Sequence, residues 1–259
     1  MRAEKLQAEV LPETDIHVVL DDGTRKPLDM QRLHTIVNEA CQALESVSAA
    51  EILDEALKNL YDGVSASEVN TSLVMTARTM VEKDPNYSYV TARLLLDNIR
   101  AEALNFLAVA PSATQADMQH LYGKALVAYI EKGIEFELLA PELAQFDLQQ
   151  LGQALDANRD LQFTYLGLQT LYDRYFIHKD EVRIELPQVF FMRVAMGLAM
   201  QEDDKNARAI EFYNLLSSFD YMSSTPTLFN AGTLRPQLSS CYLTTVPDNL
   251  DGIYNAIHD

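Results

Sequence analysis

From Met30 onward apolar residues return at helical spacing: Leu33, Ile36, Val37 and Cys41, then Ile52, Ala56 and Leu60, then Val69, Leu73, Val74 and Ala77. These stripes predict amphipathic helices as far as about Phe106. Ahead of them, "IHVVLDDGTRKPLDM" has a β-prone run, an Asp22-Gly23 turn signal, and Asp29 placed to cap a helix, so a hairpin should feed the first helix. In "LYDGVSASEV", Gly63 stops one helix, and either Ser65 or Ser67 offers a side-chain acceptor to the exposed N–H groups of the next. The expectation is a polar, proline-interrupted linker over 1–15, then a hairpin-capped four-helix unit over 16–106.

Beyond a turn at "APSA", "TQADMQHLYGKALVAYIEKG" reads as another amphipathic helix, with shorter helical pieces through Leu155. "TYLGLQTLYDRYFIHKDEVRIELPQVFFMRVAMGLAM" reads as a helix, an exposed turn at Lys179-Asp180, and a nearly all-apolar helix that starts at Pro187 and must be buried. "EKGIEFELLAPEL" reads as an acidic, solvated face. A last long helix, "DKNARAIEFYNLLSSFDYM", leads into "STPTLFNAGTLRPQLSSCYLTTVPDNLDGIYNAIHD". There Asn230-Ala231-Gly232-Thr233 is turn chemistry and "SSCYLTTV" alternates β-formers as a strand does. Asp248 stands where it could cap a closing helix. The fold class is therefore mainly α, with a second region over 107–259.

The chain has 259 residues, 48% of them hydrophobic, enough for a substantial core. It lacks an apolar run long enough to span a bilayer and the apolar core of a signal peptide, which points to a cytoplasmic protein with no membrane partner. A formal net charge of -18, without clustered Lys or Arg, argues against a nucleic-acid partner. Two cysteines, Cys41 and Cys241, are too few and too far apart for a disulfide scaffold or a zinc site. His34, His120 and His178 lack ligand spacing, so no metal is expected. Cys41 shares a helical face with Ile36 and Val37 and reads as core, as does "FFMRVAM". Cys241, on a strand beside polar neighbours, is either a redox group or a small buried hydrophobe.

"STPTLFNAGTLRPQLSSCYLTTVPDNLDGI", with the helical stretch from Thr164 to Ala199 upstream, resembles the start of the catalytic region of the large (α) subunit of class I ribonucleotide reductase. The likeness covers about residues 150 to 259, and the hairpin with four helices is similar to the ATP-cone of that family. The resemblance implies that the chain is an N-terminal portion of a ribonucleoside-diphosphate reductase. Such an enzyme reduces ribonucleoside diphosphates at the 2'-position by thiyl-radical chemistry, with a cysteine pair as reductant. Residues 107–259 would then be the helical part and the first strand of a ten-stranded α/β barrel, incomplete in this chain. Cys241 would be one of the redox pair, its partner lying outside the chain. Thr225 and Ser240, with Cys241, would contact substrate, and Asp248 would hold the sugar of a dNTP effector. A dithiol suits such work because its disulfide product is recycled by thiol exchange.

The same resemblance implies partners: the small (β) subunit that holds the radical cofactor, further copies of the large subunit, the remainder of the barrel, and a thioredoxin- or glutaredoxin-type reductant. The chain itself would bind no cofactor, and alone it should be inactive. Where cones of the family hold ATP with a basic pair, this sequence has Leu20 and Asp21. Lys26 replaces an acidic residue, Ala66 a polar one, Asn70 an acid or histidine, and Ala101 a basic one, while Arg32 keeps its charge. An anion needs donors and positive charge in place of its hydration, so the cone reads as degenerate. The other readings are a structural or interaction module on a degenerate cone and an independent nucleotide-binding regulator, which the lost residues disfavour.

Overall fold

The computed structural model describes residues 15–20 and 22–258, so the expected 1–15 linker falls almost wholly outside the described residues, as does Asp21. The N-terminal hairpin forms as expected. Strand β1 (His17–Val19) pairs antiparallel with β2 (Arg25–Pro27), Val18 opposite Lys26. Helix α1 (Met30–Cys41) comes next, and Asp29 caps it by accepting from the Arg32 backbone N–H at 2.8 Å. Helix α2 (Ala49–Lys58) leads to a strand that the sequence pattern did not announce. This is β3 (Val64–Ser65), which lies parallel to β1 and closes a three-stranded sheet in the order β2-β1-β3. With two residues it is too short to show alternation.

Ser65, one of the two candidate serines, caps α3 (Ala66–Thr79) in a reciprocal box with Glu68. Helix α4 (Tyr87–Phe106) completes the four. The predicted stripe is the packed face: Leu33, Ile36, Val37, Ile52, Ala56, Val69, Leu73, Val74 and Ala77 are all buried, with Cys41 and Leu60 at its margin.

Helix α4 is buried on more than one side because it also packs against the second region of the chain. That region comprises α5 (Gln115–Glu135), α6 (Leu148–Ala154), α7 (Tyr165–Arg174), a hairpin of β4 (His178–Lys179) and β5 (Val182–Arg183), α8 (Pro187–Ala199) and α9 (Lys205–Ser217). Arg93 of α4 donates to the carbonyls of Ala40 and Gln42, at the end of α1, and to that of Leu161 at 3.4 Å, so one guanidinium joins the two regions. Helix α8 starts at Pro187 and is buried almost all round, as its apolar sequence requires. Phe190, Phe191 and Met192 are fully enclosed, each worth about 1.5–3 kcal/mol in removed apolar surface.

Three expectations need correction here. "EKGIEFELLAPEL" is two-sided: its glutamates are exposed, but Leu139 and Leu143 belong to the core. The helix read through Met222 stops at Ser217, because Phe219 takes a left-handed φ of 63° and turns the chain. "SSCYLTTV" forms no strand: residues 239–251 are exposed throughout, and none of them pairs with another described segment. A β-prone sequence makes a strand only where a neighbour satisfies its N–H and C=O groups, and among the described residues it has none.

Candidate functional site

The segment carrying Thr225, Ser240, Cys241 and Asp248 starts in order and ends in solvent. "TPTLFN" forms a short helix, α10 (Thr225–Asn230), with Pro226 in its first turn. At its end Gly232 takes a φ of 77°, the left-handed conformation that glycine adopts without strain. The chain there lies so close to α8 that a Cβ on Gly197 would overlap the Gly232 backbone. The Ala140 N–H donates to the Gly232 carbonyl at 3.0 Å, and the Leu234 N–H to that of Leu138 at 3.2 Å.

What holds this turn is a residue that sequence reasoning assigned to plain core. Arg193, fully buried in the middle of α8, donates to the carbonyls of Ala231 at 2.7 Å, Leu228 at 3.1 Å and Phe229 at 3.4 Å. Helix C-termini leave these carbonyls without intrahelical donors, and the guanidinium supplies them. Its charge is balanced by Glu185, also wholly enclosed, through Nε to Oε1 at 2.6 Å. Glu185 accepts in addition from the Tyr129 hydroxyl at 2.5 Å and the Ile177 N–H at 2.8 Å. Burial opposes the Arg193 charge, yet Glu185 keeps its pKa above the ordinary value. Burial, with the Glu185 charge adding to it, pushes the Tyr129 phenol well up, so this tyrosine stays a donor. A charged residue inside an otherwise apolar helix, with a glutamate just before the helix-starting Pro187, was the signal available in "IELPQVFFMRVAM".

A second buried cluster ties Arg100 of α4 to the second region. Asp160, fully enclosed, accepts from Tyr122 at 2.6 Å and Gln188 at 2.7 Å and faces Arg100 at 3.7 Å. Burial still lifts its carboxyl above the usual range, outweighing those partners. Tyr213 donates to Gln188 at 2.8 Å, tying α9 to the same group.

The residues singled out from the sequence are not gathered into one enclosed site. Thr225, exposed at the first position of α10, shares a 3.2 Å hydroxyl contact with Tyr175. Ser240 donates to the Cys241 sulfur at 3.7 Å, and both are exposed. Cys241 therefore points into no enclosed site formed by the described residues. Asp248 is exposed, and the closing helix α11 (Leu250–His258) is capped instead by Asn249, whose side chain accepts from the Gly252 N–H at 2.7 Å. Asparagine and aspartate cap about equally well, so composition alone could not choose between neighbours. No hydrogen bond joins Asp248 to the other three residues among those described.

In the cone-like unit, the one retained cation is already engaged: Arg32 pairs with Asp97 at 2.5 Å. Lys26 lies exposed on β2, and Ala66 and Ala101 offer no side-chain donor. Cys41 is the other thiol, pushed up to about 11 by burial against a small opposing effect of Arg93. Among the described residues no group of histidine, cysteine and carboxylate side chains could hold a metal ion, and no helix is long and apolar enough to cross a membrane.

A small sheet on four helices, followed by a helical layer and an extended serine-cysteine segment, defines a cone-plus-helical-domain protein. Family models agree: the ATP cone domain matches residues 16–102, and the ribonucleotide reductase all-alpha domain matches 161–236. The ribonucleoside-diphosphate reductase subunit alpha of Chlamydia trachomatis is 45% identical over 250 residues, covering 96% of this chain and 23% of that protein. The subunit alpha of Helicobacter pylori is 37% identical over 244 residues, 93% of this chain and 29% of its own length. The large subunit of Danio rerio is 32% identical over 245 residues, 93% and 30% respectively. The chain belongs to the ribonucleotide reductase large-subunit family, and it spans about a quarter of the length of these relatives.

Proposed function

We propose that this chain is part of a ribonucleoside-diphosphate reductase large subunit, in which residues 16–106 form a cone that no longer binds ATP and residues 107–259 lead into a catalytic barrel. In this reading Cys241 is one thiol of the reducing pair, Thr225 and Ser240 contact the substrate, and Asp248 serves the dNTP effector. The observation that carries it is the anchoring of α10. A fully buried Arg193–Glu185 pair is spent on fixing the turn just before a segment that leaves its serine and thiol accessible. A buried ion pair costs desolvation, and it is a poor device for stability alone.

The exposed 239–251 segment fits a strand whose partners are supplied by more of the subunit, and a small subunit and a dithiol reductant would complete the system. By this reading the chain by itself does not turn over, because a single thiol cannot supply both electrons or position the substrate. The test is a ribonucleoside-diphosphate reduction assay with small subunit and thioredoxin-type reductant, on this chain alone and on a complete subunit that contains it. In the complete subunit, Cys241→Ser should abolish multiple turnover and Cys41→Ser should leave it nearly intact. Turnover by the chain alone, or full turnover by Cys241→Ser, would overturn the reading.

A further inference from the structure

A cleft of about 510 Å³ lies against the far end of α10, lined by Arg174, Tyr175, His178, Phe229, Thr233 and Arg235 among others. Thr225 does not line it, although the hydroxyl of Tyr175, in its wall, contacts the Thr225 hydroxyl at 3.2 Å. The sequence as a whole carries 38 acidic against 20 basic residues, yet this mouth gathers two arginines and a histidine with Glu137 as the carboxylate beside them. The arginines are distinguished by what they lack. Every other arginine among the described residues engages a carboxylate, a carbonyl, an amide or an aromatic ring. Arg174 and Arg235 alone make no such contact, and both line the same cleft. Nor does the His178 ring have a hydrogen-bond partner there.

From this we infer that the cleft is a binding site for a small ligand bearing a diphosphate or two neighbouring phosphates. The chemistry favours that class. Guanidinium groups match phosphate oxygens in pairs of parallel N–H bonds, and two guanidiniums on one cleft match two phosphates better than one. Arg174 occupies the last turn of α7, where the helix dipole favours a cation, so its charge is set in place before any ligand arrives. The walls are firm. Tyr175 stacks on Phe229 with centroids 4.6 Å apart and planes 12° off parallel. Phe229 is held at its carbonyl by Arg193, and Asn230 is held by its side-chain bond to the Gln237 carbonyl at 2.7 Å. The volume lies within the roughly 300–1,000 Å³ of small-molecule sites. The inference does not depend on the reductase reading, since the cleft uses none of Thr225, Ser240, Cys241 and Asp248.

Titration of the full chain with inorganic pyrophosphate tests it, by calorimetry and by the His178 ring signals in NMR. Saturable one-site binding is expected, with a dissociation constant of about 1 mM or tighter, and orthophosphate should bind at least about fivefold more weakly. Arg174→Gln and Arg235→Gln should each weaken pyrophosphate binding by about fivefold or more, while Lys124→Gln, a lysine on another face, changes nothing. Both arginines are exposed, so the variants should fold, and an unchanged circular dichroism melt verifies it. The inference is overturned if binding fails to saturate, if orthophosphate and pyrophosphate bind equally, if the His178 signals stay still, or if the double arginine variant binds as the parent does.

Discussion

Replacing Glu185 by glutamine tests the account of α10 most directly. The glutamate uses both oxygens: one accepts from the Arg193 Nε and the Tyr129 hydroxyl, the other from the Ile177 N–H at 2.8 Å. Glutamine keeps the shape but turns one oxygen into a donor. Either Ile177 or the arginine side then faces an NH₂ group instead of an acceptor, and the Arg193 charge is left uncompensated at zero exposure. Removing one partner of a buried pair costs about 3–5 kcal/mol, a large share of the roughly 5–15 kcal/mol that a domain has in all. Arg193→Met should cost a similar amount by stranding the carboxylate and the three carbonyls of α10.

The double variant Glu185→Gln/Arg193→Met removes both charges together. It should be less destabilised than the sum of the singles by at least about 1.5 kcal/mol, since contacting residues are not additive. Urea unfolding followed by circular dichroism gives the stabilities. Amide exchange gives the location: Leu234 and Ala140, whose N–H groups bond across the turn, should lose protection before the amides of α1. If each single variant costs less than about 1 kcal/mol, or the two costs simply add, Arg193 is not the strut described and the turn is held by packing alone.

The two thiols and the cone give two more expected outcomes. At pH 8 iodoacetamide should modify Cys241 well before Cys41: a thiol moved from 9.0 to about 11 has about a hundredfold less thiolate there. Because folding raises that pKa, the stability gained by enclosing the neutral Cys41 is fully present below about pH 9 and is lost as pH climbs toward 11, so peptide mapping of unfolded chain should show both thiols labelled alike. Calorimetric titration of the chain with dATP should show no saturable cone site up to about 1 mM, since Arg32 is held by Asp97; a micromolar constant would mean that the cone retains its ligand.

The four-helix unit was legible because each of its helices carries its own evidence. Asp29 and Ser65 mark helix starts, whereas α2 already ends at Lys58, ahead of the stop expected at Gly63, and stripes such as Leu33-Ile36-Val37 and Val69-Leu73-Val74 name the buried face without reference to any distant residue. The burial of α8 was legible for the same reason. What could not be read depended on partners remote in sequence. Val64 and Ser65 become a strand only because β1 is there to receive them, and "SSCYLTTV", far more strand-like by composition, stays unpaired because nothing described lies alongside it. Arg193 is the instructive case between these extremes. Its position in an apolar helix announces that a buried charge must be answered, but the answer, Glu185 together with the carbonyls of a helix some 35 residues onward, is a matter of tertiary geometry. A partly exposed site residue gives even less warning: Thr225, Ser240 and Cys241 were singled out by the likeness of a segment to a family, and their own contacts, Tyr175 for one and each other for the remaining two, would not have separated them from ordinary surface hydroxyls and a free thiol. The part of the segment that physics alone marks as unusual is the part that is fixed, the turn beneath Arg193, and it is there that perturbation should tell a positioned site from an idle surface.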